Sequence, residues 1–252
     1  MLSRSYIPNH LPLSSPMKIK LFLLVPFVCF FCTARAQQQN KDSLVVNSFF
    51  QGKANNCASI ALIKAGMLRY GYQKMFALQN NGSNYLITLK DGKQLSITAE
   101  ELKAAKKRAR FNTSGHSEEL GKEKDSVLFY AYIAYAAIAK YIQTYGYWGC
   151  EGKHGEAGPF LGKKESFGAA LNFITDKSVC TDYCYRLLGF KIKDDRIFDI
   201  KSPEDIKEPG TLVYSWEHAV VAYKNYLDCH GTWVAAGSGD SCSDFQFYIV
   251  LE

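Results

Sequence analysis

Apolar positions recur at a helical spacing after residue 57. Ile60, Ile63, Met67 and Leu68 fall on this pattern, which predicts a helix over 57–70. Asn55-Asn56 offers N-cap chemistry before it, and Gly71 a stop after it. The period then switches to two. Residues 85–89 and 94–97 alternate like strands, with Asp91-Gly92 as the hairpin turn between them. Thr98-x-x-Glu101 is a capping box that opens a short helix with a basic end from Lys103 to Arg110. That basic end reads as a solvated face, because Lys and Arg favour helix C-termini. Asp125 is expected to cap a long, Ala-rich and aromatic helix over 126–145, apolar on most sides and so buried. A Gly-rich loop follows over 146–162, then a helix over 165–174 and a turn at Pro209-Gly210. Strand-like runs at 211–223, 233–236 and 245–251 close the chain. Helices come first and strands last, which predicts an α+β domain with an antiparallel sheet.

The first 36 residues follow a different rule. Met17-Lys-Ile-Lys20 is a basic lead, residues 21–32 are an apolar run of 12, and Ala34-Arg-Ala36 is a small-x-small site. This is the layout of a cleavable export signal, with Met17 as a possible start. The run is short for a membrane span. The expected product begins at Gln37, with a polar leader over 37–47 and the working domain over 48–252. It is expected to be secreted or periplasmic, with no stable membrane span after signal removal.

Charge changes the picture little. The formal net charge is +6, and Arg4, Lys18, Lys20 and Arg35 supply four of these charges from the signal. A remainder of +2 does not argue for nucleic acid as a partner. Six cysteines lie beyond the signal: Cys57, Cys150, Cys180, Cys184, Cys229 and Cys242. In an oxidising compartment they can pair. Cys229 and Cys242 flank an expected hairpin and are the favoured pair, although connectivity is not readable from sequence. Cys150 with His154, or Cys229-His230 with Cys242, matches no full tetrahedral metal set. Neither a metal nor any other cofactor is expected.

The chemistry concentrates around Gln51-Gly-Lys-Ala-Asn-Asn-Cys57. A cysteine at a helix N-terminus sees the positive end of the macrodipole, which favours the attacking thiolate. A glutamine six residues upstream can offer its amide N–H, with the Cys57 N–H, to an oxyanion. His218 lies in an apolar run, 161 residues downstream of Cys57. An imidazole on a strand can share the thiol proton. Trp216 and Trp233 flank this region and can either line a cleft or pack between sheet and helix.

Gln-x5-Cys opening a helix, with a His-Ala-Val strand far downstream, resembles the papain-like cysteine peptidases. The hairpin at Tyr85 to Gly92 and the aromatic helix with its Gly-rich loop are similar to the calpain-type catalytic domain. The resemblance implies a papain-like fold, with a helical half and an antiparallel sheet half. It also implies an exported cysteine peptidase that cleaves peptide or amide bonds of a peptide or protein substrate. Cys57 would form the thioester, with Gln51 as oxyanion donor and His218 as general acid and base. The chain departs from the pattern at Ala58, where calpains carry Trp. The third residue, usually Asn, is also missing. By counting, Asp240 takes that place, with Ser238 beside it. Three other readings stay open: an inactive papain-like binding domain, a cell-wall peptide amidase and a transglutaminase-like acyltransferase. Oligomeric state and side-chain preference are not readable.

Overall fold

Helix α2 (Cys57–Tyr70) starts and ends where its pattern places it. Every residue from Cys57 to Leu68 is buried, however, not one stripe alone. The reason is its position between two layers. It packs on α4 (Gly121–Tyr145) and also on β6 (Ala219–Tyr223). Leu62 and Ile63 are fully enclosed, and each such side chain contributes about 2–3 kcal/mol of burial. Gly66 has a steric reason: a Cβ there would lie 2.4 Å from the Phe190 ring.

The computed structural model describes residues 41–113, 121–150, 158–177, 179–193, 198–199, 203–215, 217–236, 238 and 245–252. Residues 42–252 form one unit. The domain boundary expected at residue 48 therefore moves to residue 42. Residues 41–48 form a helix, α1, and Leu44, Val45 and Val46 are part of the main core.

The helical layer holds α3 (Ala99–Ala109), α4 and α5 (Phe167–Asp176). The capping box at α3 is made in full: Thr98 Oγ1 accepts from the Glu101 N–H, and Glu101 accepts from the Thr98 N–H. Helix α4 begins at Gly121, a turn earlier than expected, so Asp125 lies inside it and is not its cap. A small sheet has the antiparallel order β1 (Ala77–Asn80), β2 (Asn84–Thr88), β3 (Gln94–Thr98), and β1 was not foreseen. Cys150 is bonded to Cys180, which ties the loop after α4 to a 3-10 helix at Thr181–Leu188. Closing a loop of this length stabilises by about 3–4 kcal/mol through the unfolded state.

The large sheet is antiparallel in every pairing. It contains β4 (Phe198–Asp199), β5 (Thr211–Tyr214), β6, β7 (Tyr226–Cys229), β8 (Thr232–Ala235) and β9 (Phe247–Val250). The spatial order is β4-β9-β5-β6-β7-β8. The run expected as one strand over 211–223 is two, β5 and β6, which pair with each other. Ser215 makes the break. Its Oγ accepts from the N–H groups of Glu217 and His218, both at 3.3 Å, and its own N–H donates to the His218 carbonyl at 2.8 Å. The β6–β7 turn is Lys224-Asn225, with φ of 51° and 67°. Such left-handed pairs match the twist of a hairpin.

Side chains alternate across this sheet, as the period of two requires. Leu212, Tyr214, Ala219 and Val221 join the core that holds α2, while Val213, Val220, Ala222, Leu227 and Cys229 form a second cluster. Asp228 lies between Leu227 and Cys229, so it faces α2. The overall class is α+β, with helices on one side of the site and antiparallel strands on the other.

Candidate active site

Cys57 is the first residue of α2 and is 7% exposed. Asn56 precedes it, but its side chain does not cap the helix. This corrects the expected N-cap role. The Asn56 amide donates instead to the Ala109 carbonyl, at 2.8 Å, and reaches the Tyr135 hydroxyl at 3.4 Å. The helix start is thereby pinned to the end of α3 and to α4. The first-turn N–H groups of α2 carry the positive end of the helix.

The loop before α2 is held equally firmly. Phe50 and Asn112 exchange backbone hydrogen bonds at 2.8 and 3.0 Å. Gly52 lies against Arg110 so closely that a Cβ would stand 2.2 Å from the Arg110 carbonyl oxygen. No other residue fits there without moving the backbone. Gln51 is fixed between these contacts. Its Nε2 donates to the Ala54 carbonyl at 2.7 Å, which uses one of the two amide hydrogens. Its Oε1 is buried with no hydrogen-bond partner among the described residues.

His218 enters from the sheet, at the edge of β6 and just after the Ser215 turn. Gln51, Cys57 and His218 line one narrow cleft. Ile60, Ala61 and Lys64 of α2 line it too, as do Asp228 and His230. Cys57, Ile60, Ala61 and Lys64 share a face because they stand three, four and seven residues apart. Cys57 and Cys184 are not disulfide-bonded. Cys184 is sealed in the core, and burial first, then the neighbouring Asp182, pushes its thiol strongly up. Cys57 alone of these two thiols lines the cleft.

The ring of His218 stacks on His230, with centroids 4.7 Å apart and planes 20° apart. Its Nε2 is buried with no hydrogen-bond partner among the described residues. Burial lowers the His218 pKa below the usual imidazole value, and the Asp228 carboxylate opposes this. His230 is lowered by burial and then by His218, against the same carboxylate. Both shifts favour the neutral imidazole, the form that can accept a thiol proton.

Asp228 is the carboxylate of the cleft. One oxygen accepts from the Gly231 N–H at 3.1 Å, and the other pairs with Lys64. Lys64 is fully buried. Its ammonium also donates to the Val46 carbonyl at 2.9 Å and lies 4.4 Å from the Phe50 ring centroid. Burial lowers the Lys64 pKa, and the ion pair with Asp228 opposes that shift.

Sequence reasoning missed Asp228, Lys64 and His230. Lys64 had a readable signal, seven residues after Cys57 on the same helix face. Asp240, the carboxylate expected beside His218, lies outside the described residues, as do Trp216 and Cys242. Ser238 is exposed and is not part of the cleft lining. Trp233 packs edge-on against Tyr223, and its indole N–H reaches Asn47 at 3.4 Å, so it packs between sheet and helix instead of lining the cleft. Cys229 is disulfide-bonded, and Cys150 is bonded to Cys180, which leaves neither as a thiolate metal ligand. No helix among the described residues is long and apolar enough to cross a membrane. No family model matches the chain, and neither a curated protein nor a solved structure matches it.

The two histidines make stability depend on pH. Their folded pKa values lie below the unfolded value of about 6.5. As pH falls through that value the unfolded chain takes up protons that the folded chain refuses. Their contribution is thus complete above about pH 6.5 and is lost as pH falls towards the folded values. The melting temperature is expected to drop between pH 7.5 and pH 5. The drop should shrink in His218→Gln/His230→Gln. A drop of equal size in that variant would place the effect elsewhere.

Proposed function

We propose that the chain is an exported thiol hydrolase of the papain-like type, cleaving peptide or amide bonds through a Cys57 thioester. The observation that carries this reading is one cleft lined by Gln51, Cys57 and His218. A loop and the helix start six residues after it supply the first two, and a strand edge 161 residues beyond Cys57 supplies the third. The expected export signal and the Cys150–Cys180 disulfide fit the same picture, because disulfides persist in oxidising compartments.

The neutral His218 imidazole takes the Cys57 proton. The thiolate attacks the carbonyl carbon, and the carbonyl electrons move onto oxygen. The second amide hydrogen of Gln51 and the Cys57 N–H stabilise that oxyanion. The C–N bond breaks, His218 returns its proton to the leaving nitrogen, and a thioester remains on Cys57. Water then attacks the thioester with His218 as base, releasing the acid and restoring the thiol. Asp228 faces the two imidazoles, and its charge favours the protonated ring that forms during attack. In this reading it takes the part expected of Asp240.

Acyl transfer of this kind leaves a mass on the nucleophile. Mixing the protein with p-nitrophenyl acetate should give a burst of nitrophenolate. Acid quenching during the burst should give an acetyl group on Cys57 by peptide mass mapping. No burst, with Cys57 unmodified, would sink the enzyme reading and favour a binding domain built on the same frame.

A further inference from the structure

Beside the cleft lies a wider, open basin lined by Gln51, Gly52, Lys53, Arg110, Asn112 and His230. Gln51 and His230 belong to both spaces, so the basin is the mouth of the cleft. Its charge is one-sided. Lys53 and Arg110 are exposed there, and among the described residues no carboxylate lines it. Neither has an ion-pair partner among the described residues. Arg69, Lys93, Arg108, Lys140 and Lys193 each have one. The nearest acid of the site, Asp228, is already held by Lys64.

Arg110 also stands in a costly place. It ends α3 in the left-handed conformation, with φ of 49°. Glycine or asparagine would hold this turn at lower cost. Packing of its carbonyl against Gly52 fixes the segment beside Gln51. The two cations thus project from the two locked segments that carry the proposed oxyanion donor. The basic end of α3, expected to be merely solvated, reaches this basin through its C-cap residue, Arg110.

We infer that the mouth is a carboxylate subsite, in which Lys53 and Arg110 hold an acidic group of a peptide substrate beside the scissile bond. Guanidinium groups bind carboxylates through paired hydrogen bonds, and an ammonium adds charge without fixed geometry. Carboxylates are the anionic groups an unmodified peptide itself carries. This inference rests on the proposed thiol chemistry and names the substrate class for it.

A pair of small reagents separates the two ideas. Iodoacetamide and iodoacetate attack the same sulfur, but only the second carries a carboxylate. Their alkylation rates at Cys57 are measured on the whole protein at low ionic strength, with the site located by mass spectrometry. The ratio of iodoacetate to iodoacetamide rates is expected to fall about 10-fold in Lys53→Gln/Arg110→Asn, and to fall similarly for the unaltered protein in 0.5 M salt. Asparagine is chosen because it tolerates the left-handed turn. A ratio that neither change moves overturns the subsite while leaving the nucleophile intact. Failure of iodoacetamide itself to label Cys57 overturns the thiol chemistry, and the subsite falls with it. The source of the carboxylate follows from protection of Cys57 against iodoacetamide. Protection by a capped, amidated glutamate peptide but not its glutamine analogue assigns a side chain. Protection by the glutamine peptide only with a free C-terminus assigns the chain end. Equal protection by all three overturns the inference.

Discussion

Cys57→Ser is expected to abolish the acyl burst and to lower steady-state ester hydrolysis by on the order of 10⁴-fold or more. A serine hydroxyl holds its proton far more tightly than a thiol, and a neutral imidazole removes it poorly without a site built for that task. The fold should not change, since one buried sulfur is replaced by one buried oxygen. Cys184→Ser is the companion measurement. That thiol is sealed in the core and pushed up by burial and Asp182, so its loss should leave the burst intact. A burst that survives in Cys57→Ser would show that another group carries the acyl transfer.

Lys64→Met is expected to cost about 3–5 kcal/mol of folding stability. The substitution leaves Asp228 nearly buried with its main cation gone, because Lys64 and Asp228 are 0% and 6% exposed. Removing one partner of such a pair exposes the other to an uncompensated desolvation penalty, whereas replacing both with apolar groups is often close to neutral. Lys64→Met/Asp228→Leu should therefore recover most of the loss in denaturant unfolding. It should not recover rapid Cys57 chemistry, because the carboxylate that faces His218 is gone. A loss below about 1 kcal/mol in Lys64→Met would mean that water reaches the pair.

Much of this site was legible. The start of α2 at Cys57 and Gln51 six residues before it followed from local pattern, whereas His218, expected inside one strand over 211–223, stands between two. What stayed hidden depends on chain pairing. Neither the β5–β6 break at Ser215 nor the β6–β7 turn at Lys224-Asn225 contains a glycine, so 211–223 reads as one strand and residues 226–229 go unread. Counting onward from His218 then reached Asp240, past Asp228 on the very next strand. Lys64 was hidden for a related reason. A single lysine in an apolar helix ordinarily extends its head to water, and only the partner 164 residues away explains its burial. The small strand β1 was missed because Ala77–Asn80 carries no apolar alternation, and its burial pattern confirms a mostly exposed edge. The early start of α4 has its own cause in Lys124, which is buried and donates to the Thr113 carbonyl at 3.0 Å.

The central claim is that Cys57 and His218 act as one unit. The measurement that tests it most directly is the iodoacetamide labelling rate of Cys57 across pH 4–9, comparing the unaltered protein with His218→Ala. Labelling of the unaltered protein at neutral pH is expected to be at least about 10-fold faster than that of the variant. Equal labelling rates in the two proteins across the range would contradict a thiol–imidazole unit.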